Sequence, residues 1–409
     1  MPVPNRHTAI GVVYAVIQKK VITFNNIQKM KKIKLFVIIS LLFFSCGNVK
    51  NKVGKHSDGP LVLVFEEQSS ATLFSDRIFG KMEMTPLETT DDCLVGERPE
   101  LLKDDQNYFI LERQQQFILR FDKSGKFINR IGRRGGGPGE YQELMDFIIN
   151  PATNSVEVLA SGGKLLRYNY EGAFISSQNF DGYPQSFTKT GSTYWFNHGV
   201  GKLNVDGRLL KVSEDGTVIE KFLPLETDWF GATEQNFTQC GDIISFKEVF
   251  SHTVYRITDN GPVETTVIDF GKYAYRKDMY SANQFQIIEE LRNRGWAYIY
   301  RFLENEQFVY ISFMIDQNGE NDAGFYYYHW LVNKNTGNSV LQKLSPDDSL
   351  LHLIDRAIVL TADNELVCMA NAQMLKESTD PFFNRININK ESLSEISNPV
   401  IIRLKINNF

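Results

Sequence analysis

The chain has 409 residues, of which 42% are hydrophobic and 12% aromatic, and carries a formal net charge of −5. It is too apolar for a disordered polymer and long enough to bury a large core. Beyond the N-terminal segment the densest basic feature is the pair Arg133-Arg134, so no electrostatic footprint for a phosphate backbone is present and nucleic-acid binding is disfavoured.

Near the N-terminus, Lys31, Lys32 and Lys34 precede an apolar run from Leu35 to Phe44, followed by Ser45-Cys46-Gly47. A basic flank, a short apolar run and a small residue define a secretory signal. The run is well short of the roughly 20 residues that a membrane-spanning helix needs. Phe43-Phe44-Ser45-Cys46 resembles a bacterial lipobox, which makes Cys46 the expected lipidated residue and Met30 the expected start. Residues 1–45 then form an upstream extension and signal peptide, and 364 residues remain from Cys46 onward. Residues 46–72, with the polar stretch Asn48 to Gly59, read as a tether. Residues 73–409 read as one domain.

That domain opens on a lone alternating strand, Met82 to Leu87. Its expected role is to complete the last unit of a closed ring by pairing with strands near Val400 to Ile406. Next comes a hairpin that recurs. Its clearest copy is Phe117-Ile-Leu-Arg-Phe-Asp-Lys-Ser-Gly125-Lys-Phe-Ile-Asn-Arg-Ile131, two apolar strands around a polar turn ending in glycine. Weaker copies centre on Gly172, Gly216, Gly261 and Gly337; the first four glycines recur every 44–47 residues and the last follows after 76. Glycine supplies the positive φ that a tight hairpin needs, and the β-branched and aromatic flanks suit a pleated, half-buried surface. One hairpin cannot bury its apolar faces alone, so a period of this length with strand content points to propeller blades. Length and period predict an all-β, six-bladed β-propeller with four-stranded antiparallel blades.

Three segments, Ile78 to Thr90, Phe121 to Phe127 and Ile131-Gly-Arg-Arg-Gly-Gly-Gly-Pro-Gly-Glu-Tyr141, together resemble the six-bladed β-propeller lipoproteins common in Bacteroidota. The resemblance is specific over about Phe74 to Gln178 and implies fold and compartment. It carries over no catalytic residue.

The 76-residue interval contains Ser281 to Arg294, where Phe285, Ile288 and Leu291 repeat at helical spacing, so a short amphipathic helix is expected near 281–294. It reads first as a packing insertion and second as a lid or docking helix.

Candidate chemistry is sparse. The glycine-rich stretch from Gly132 to Tyr141 lacks the lysine and following helix of a phosphate loop. It connects the outer strand of one blade to the inner strand of the next and must cross one face of the disc from rim toward axis, which places Arg133, Arg134, Glu140 and Tyr141 near the channel mouth. The structural reading is a loop tied to the adjacent blade by Glu140 or an arginine. The functional reading is an anion- or carbohydrate-binding site in which the paired guanidinium groups stand beside the tyrosine ring and hold the ligand. His56, His198, His252, His329 and His352 form no paired metal motif, so an axial metal would need ligands from separate blades. No Gly-x-Ser-x-Gly elbow occurs. Cys93, Cys240 and Cys368 are widely spaced and read as buried free thiols. The aromatic runs Tyr194 to Phe196, Trp296 to Tyr300 and Phe325 to Trp330 should send alternate rings into the core.

The expected function is a membrane-anchored, extracytoplasmic binding or scaffolding module for a protein, peptide or glycan, held to the bilayer by its acyl anchor. The expected location is the periplasmic face of the outer membrane, with the cell surface as the alternative, and no cofactor is predicted. The rival is a lactonase-like hydrolase or lyase with an axial metal.

Overall fold

A computed structural model of the protein describes residues 53–54, 59–67, 71–96, 99–198, 207–224, 235–248, 251–275, 286, 289, 295–317, 324–345, 354–385 and 389–409. Three strands come first, β1 (Val53–Gly54), β2 (Leu61–Val64) and β3 (Phe79–Pro86). Five antiparallel four-stranded meanders follow. The first blade holds β4 (Glu100–Lys103), β5 (Asn107–Glu112), β6 (Phe117–Asp122) and β7 (Phe127–Ile131), and the second β8 (Leu144–Asn150), β9 (Ser155–Ala160), β10 (Lys164–Asn169) and β11 (Phe174–Asn179). The third holds β12 (Ser186–Thr190), β13 (Thr193–Asn197), β14 (Leu209–Ser213) and β15 (Val218–Phe222). The fourth holds β16 (Phe237–Cys240), β17 (Ile243–Lys247), β18 (Thr253–Thr258) and β19 (Gly261–Asp269). The fifth holds β20 (Trp296–Glu304), β21 (Phe308–Gln317), β22 (Gly324–Asn333) and β23 (Ser339–Leu344).

The sixth blade is assembled from both ends of the chain. Its inner strands are β24 (Ile354–Leu360), β25 (Glu365–Ala370) and β26 (Val400–Ile406), and its outer strand is β3, with Val400 opposite Pro86 and Leu404 opposite Met82. The ring closure expected of the lone N-terminal strand is thus borne out, as is the six-bladed propeller. The segment read as a tether contributes strands too. Within it, β2 pairs in parallel with β19 and β1 pairs with β2, so the fourth blade is six strands wide.

Apolar burial is divided among the seams between blades rather than gathered in one core. Six clusters of buried side chains each join one blade to the next. The period of two in a strand explains why. Along β5, Phe109 and Leu111 pack toward the second blade, while Tyr108 and Ile110 pack toward the sixth. Along β13, Tyr194 and Phe196 face the second blade and Trp195 the fourth. Second strands are therefore apolar on both faces, and β9 and β19's neighbour β17 are buried at every position.

The turn glycines serve this stacking as well as the turn. Gly125 has φ +86°, and a Cβ there would lie 2.3 Å from the Pro86 carbonyl oxygen of the sixth blade. At Gly172 (φ +84°) the corresponding contact is Arg130 O of the first blade at 2.7 Å. At these two hairpin tips the preceding blade lies so close that no side chain fits, whereas at Gly216 the nearest atom, Gln178 Nε2, is 3.4 Å away.

Phe285, Ile288 and Leu291, the stripe of the helix expected near 281–294, lie outside the described residues; Gln286 and Glu289 are helical and exposed. Two other helices lie between β25 and β26: α1 (Ala372–Glu377), capped by Asn371 accepting from Met374 N, and α2 (Pro381–Asn384), capped by Asp380 accepting from Phe382 N. They bury Ala372, Leu375, Phe382 and Phe383 against the sixth blade. The signals were in the sequence, a cap residue before each and proline at the first position of α2.

Candidate functional site

The seams are pinned by cations that stand at a fixed offset, five residues before the turn glycine: Arg120, Arg167, Lys211 and Arg256. Each reaches the following blade. Arg120 Nη1 donates to Tyr170 O at 2.9 Å, and Arg167 Nη2 to the Tyr194 hydroxyl at 3.2 Å. Lys211 Nζ donates to Asp259 O at 2.5 Å, and Arg256 Nη2 to Glu304 Oε1 at 2.7 Å. The fifth blade breaks the rule with Val332 at that offset, and its neighbour Asn333 donates to Asn408 Oδ1 and Phe409 O, both at 3.1 Å. These positioning residues escape a search for catalytic motifs; the constant offset is the signal that finds them. Between blades three and four lies a further buried fork, Arg208 Nε and Nη2 to Glu248 Oε1 and Oε2 at 2.5 and 2.9 Å.

The ring leaves a cavity along its axis. About 380 Å³ is walled by the inner strands of the first, second, third, fourth and sixth blades, with Leu102, Phe147, Ile149, Phe187, Phe237 and Val359 supplying apolar surface. It continues into a mouth of about 510 Å³ framed by the turns that join first and second strands, including Asp104 to Gln106, Pro151, Gly241 and Thr361. These volumes lie in the range of small-ligand sites.

Asp146 stands on the cavity wall at the bulge that starts β8. It is 8% exposed, and its two carboxyl oxygens accept from Phe147 N and, across the seam, Phe187 N, both at 2.9 Å. Burial pushes its carboxyl up to about 8, and the negative field of Glu100 adds to the rise against the two N–H donors. Cys240 also lines the mouth, and burial raises its thiol to about 11, so it is neutral. Cys93, Cys240 and Cys368 are all free and buried.

The loop carrying Arg133, Arg134, Glu140 and Tyr141 precedes β8, at the opposite end of the inner strands from the mouth, and none of the four lines the cavity. Arg133 and Glu140 are brought together as an ion pair, with the Arg133 side chain 78% exposed. The Gly137 N–H, donating to Glu140 Oε2 at 2.8 Å, holds that carboxyl below its usual range, and Arg133 adds to the effect. Arg134 is exposed and joins Tyr141 only through a backbone bridge. Tyr141 differs from the expectation of a ring offered beside the guanidinium groups. It is 2% exposed and donates its hydroxyl to Gln116 O at 2.8 Å, because Gly132 lets it approach and the first two blades close over it.

His198 and His329 are buried, and burial lowers both to about 4. His329 Nδ1 bonds the Tyr310 hydroxyl inside the seam between blades five and six. His56 and His352 lie outside the described residues. Among the described residues no group of three or more His, Cys, Asp and Glu side chains could hold a metal ion. Tyr194, Trp195, Phe196, Tyr328 and Trp330 are core, whereas Trp296, Tyr300, Phe325 and Tyr327 are half-buried around Tyr298 and Met314.

Solved structures with the same fold include a protein described as exported, from Bacteroides fragilis, at 17% identity with a TM-score of 0.69, covering 85% of this chain and 100% of that one. A DUF4221-family member from Bacteroides vulgatus follows at 12% identity with a TM-score of 0.53, covering 81% and 98%. No curated protein matches the sequence significantly. The profile of DUF4934, a domain of unknown function, matches residues 61–405, and the chain belongs to that family.

Proposed function

We propose that this protein is an extracytoplasmic binding module, anchored to the membrane through Cys46, that takes its ligand into the axial cavity. The cavity is the observation that carries the reading. Five blades contribute to one concave wall of mixed apolar and polar side chains, on a scaffold pinned at its seams. The signal-like segment ahead of Cys46 and the description of the Bacteroides fragilis structure as exported support the compartment. The residues after Cys46, Gly-Asn-Val-Lys-Asn-Lys, carry no acidic run, which favours the periplasmic face of the outer membrane. Arg133 and Arg134 offer a second contact, for an anionic group of a protein or glycan partner, on the opposite face.

Two measurements test this. Cys46→Ser should shift the protein from the membrane to the soluble fraction, and unchanged partition would remove the anchor. Full-length protein on beads should retain a component of an envelope extract that the exposed-mouth variant Ala362→Trp does not; identical retention would remove the axial site. The lactonase-like reading needs a metal held by several blades. Stoichiometric calcium or zinc that is lost together with a measured hydrolytic activity on chelation would replace the binding module with that enzyme.

A further inference from the structure

The axial cavity combines apolar side chains with the polar groups of Thr188, Gln235 and Gln239, and bears carboxyl groups toward both ends. Its walls are Leu102, Phe147, Ile149, Phe187 and Phe237. At the inner end stands Asp146, and at the mouth Asp105 and Asp242, both exposed. Asp146 lies four residues along β8 from Asn150, which puts it roughly 13 Å above the mouth turns. Asp104 shares the mouth but is engaged, accepting from Gln106 N, Asn107 N and the Tyr170 hydroxyl. Among the described lining residues the cation is Lys103, set against Asp104, Asp105 and Asp242.

Resting on the binding-module reading, we propose that the axial cavity takes an elongated alkylammonium ligand, with methylenes along the apolar wall and charged ends at Asp146 and at Asp105 and Asp242. A chain of methylene groups gains from contact with Phe147, Phe187 and Phe237, while each ammonium replaces lost hydration with carboxyl oxygens. An anion would face the acidic mouth. The burial that keeps Asp146 protonated adds a signature. An ammonium beside it would draw the proton off, opposed by Glu100 and aided by Arg113 from the first blade, while the N–H groups of Phe147 and Phe187 face it from the second and third blades. Binding should therefore release a proton near neutral pH.

The chemistry is shared by a free polyamine and a lysine side chain of a protein, and titration calorimetry on the full chain separates them. Spermidine and an acetyl-Gly-Lys-Gly-amide peptide are the probes; the Nε-acetylated peptide and glutarate are the controls. Saturable binding of either probe, with a proton released and at least about tenfold weaker binding in Asp105→Asn/Asp242→Asn and in Ala362→Trp, supports the assignment, and the tighter probe names the source. Glu220→Gln, on the exposed outer strand of the third blade, should bind like wild type. Absence of binding by both probes, equal binding by the controls, or indifference to Asp105→Asn/Asp242→Asn overturns it. The retention experiment with envelope extract stays informative in that case, because it reads occupancy of the cavity whatever the ligand's charge.

Discussion

Blades one to four and blades five and six are held together by different means. In the first four, a cation five residues before the turn glycine crosses to the next blade, and the bond is built from one short sequence unit repeated at near-constant spacing. In the last two, chain ends tie the fifth blade to the sixth and close the sixth blade itself. Gln342 Oε1 accepts from Leu73 N at 2.8 Å, Asn333 holds Asn408 and Phe409, and Arg403 forks onto Glu365 while reaching Glu83 of β3. The strands of the fifth blade are also longer, 9 to 10 residues in its first three. A ring closed by its own termini needs no repeat signal where it closes, and there the repeat fades.

The comparison sharpens when a pinning cation is removed. Arg208→Met would leave Glu248 buried without its partner and should cost about 3–5 kcal/mol in urea unfolding. Arg256→Met should cost clearly less, because Glu304 keeps Lys334 at 2.8 Å; equal losses would show that the seams do not share charge in this way. Turn glycines come next. Gly125→Ala meets both a left-handed backbone and the Pro86 carbonyl, and should lose about 3 kcal/mol. Gly191→Ala, with φ +56° and open space around it, should lose about 1 kcal/mol.

Titration separates the two buried histidines from Asp146 by sign. His329, in the late blades, and His198 have folded pKa values near 4 against an ordinary 6.5, so unfolding takes up protons between those values. Their contribution is present above pH 6.5 and is lost as pH falls toward 4, by up to about 3 kcal/mol each. Asp146, in the early blades, has the opposite sign. Its folded value near 8 exceeds the ordinary 3.8, so its contribution is full below about pH 4 and lost as pH rises through 8. Unfolding free energies measured at pH 4 to 9 should decline less on the acid side in His329→Gln and less between pH 6.5 and 8 in Asp146→Asn. Parallel curves for wild type and variants would refute both assignments. The smallest effect is expected at the surface loop: Arg133→Ala should leave the unfolding midpoint within experimental scatter, since its pair with Glu140 is open to water.

Much of this was written in residue order. The glycines at 125, 172, 216 and 261, the alternation of apolar side chains and the lone strand at Met82 to Leu87 determined blade count and ring closure, because hairpin geometry and period-two burial are local properties. The cationic pins were present at a constant offset but acquire meaning only when one blade is laid on the next. Tyr141 illustrates the limit: the sequence places it beside two arginines, yet its ring is buried because Gly132 admits it under the loop. The axial cavity was not legible at all. Leu102, Asp146, Phe187, Phe237 and Val359 come from five separate blades, and only closure of the ring brings them to one wall. The chain alone therefore specifies the repeating unit, whereas the charge state of Asp146 and the shape it faces depend on long-range burial that no local pattern encodes.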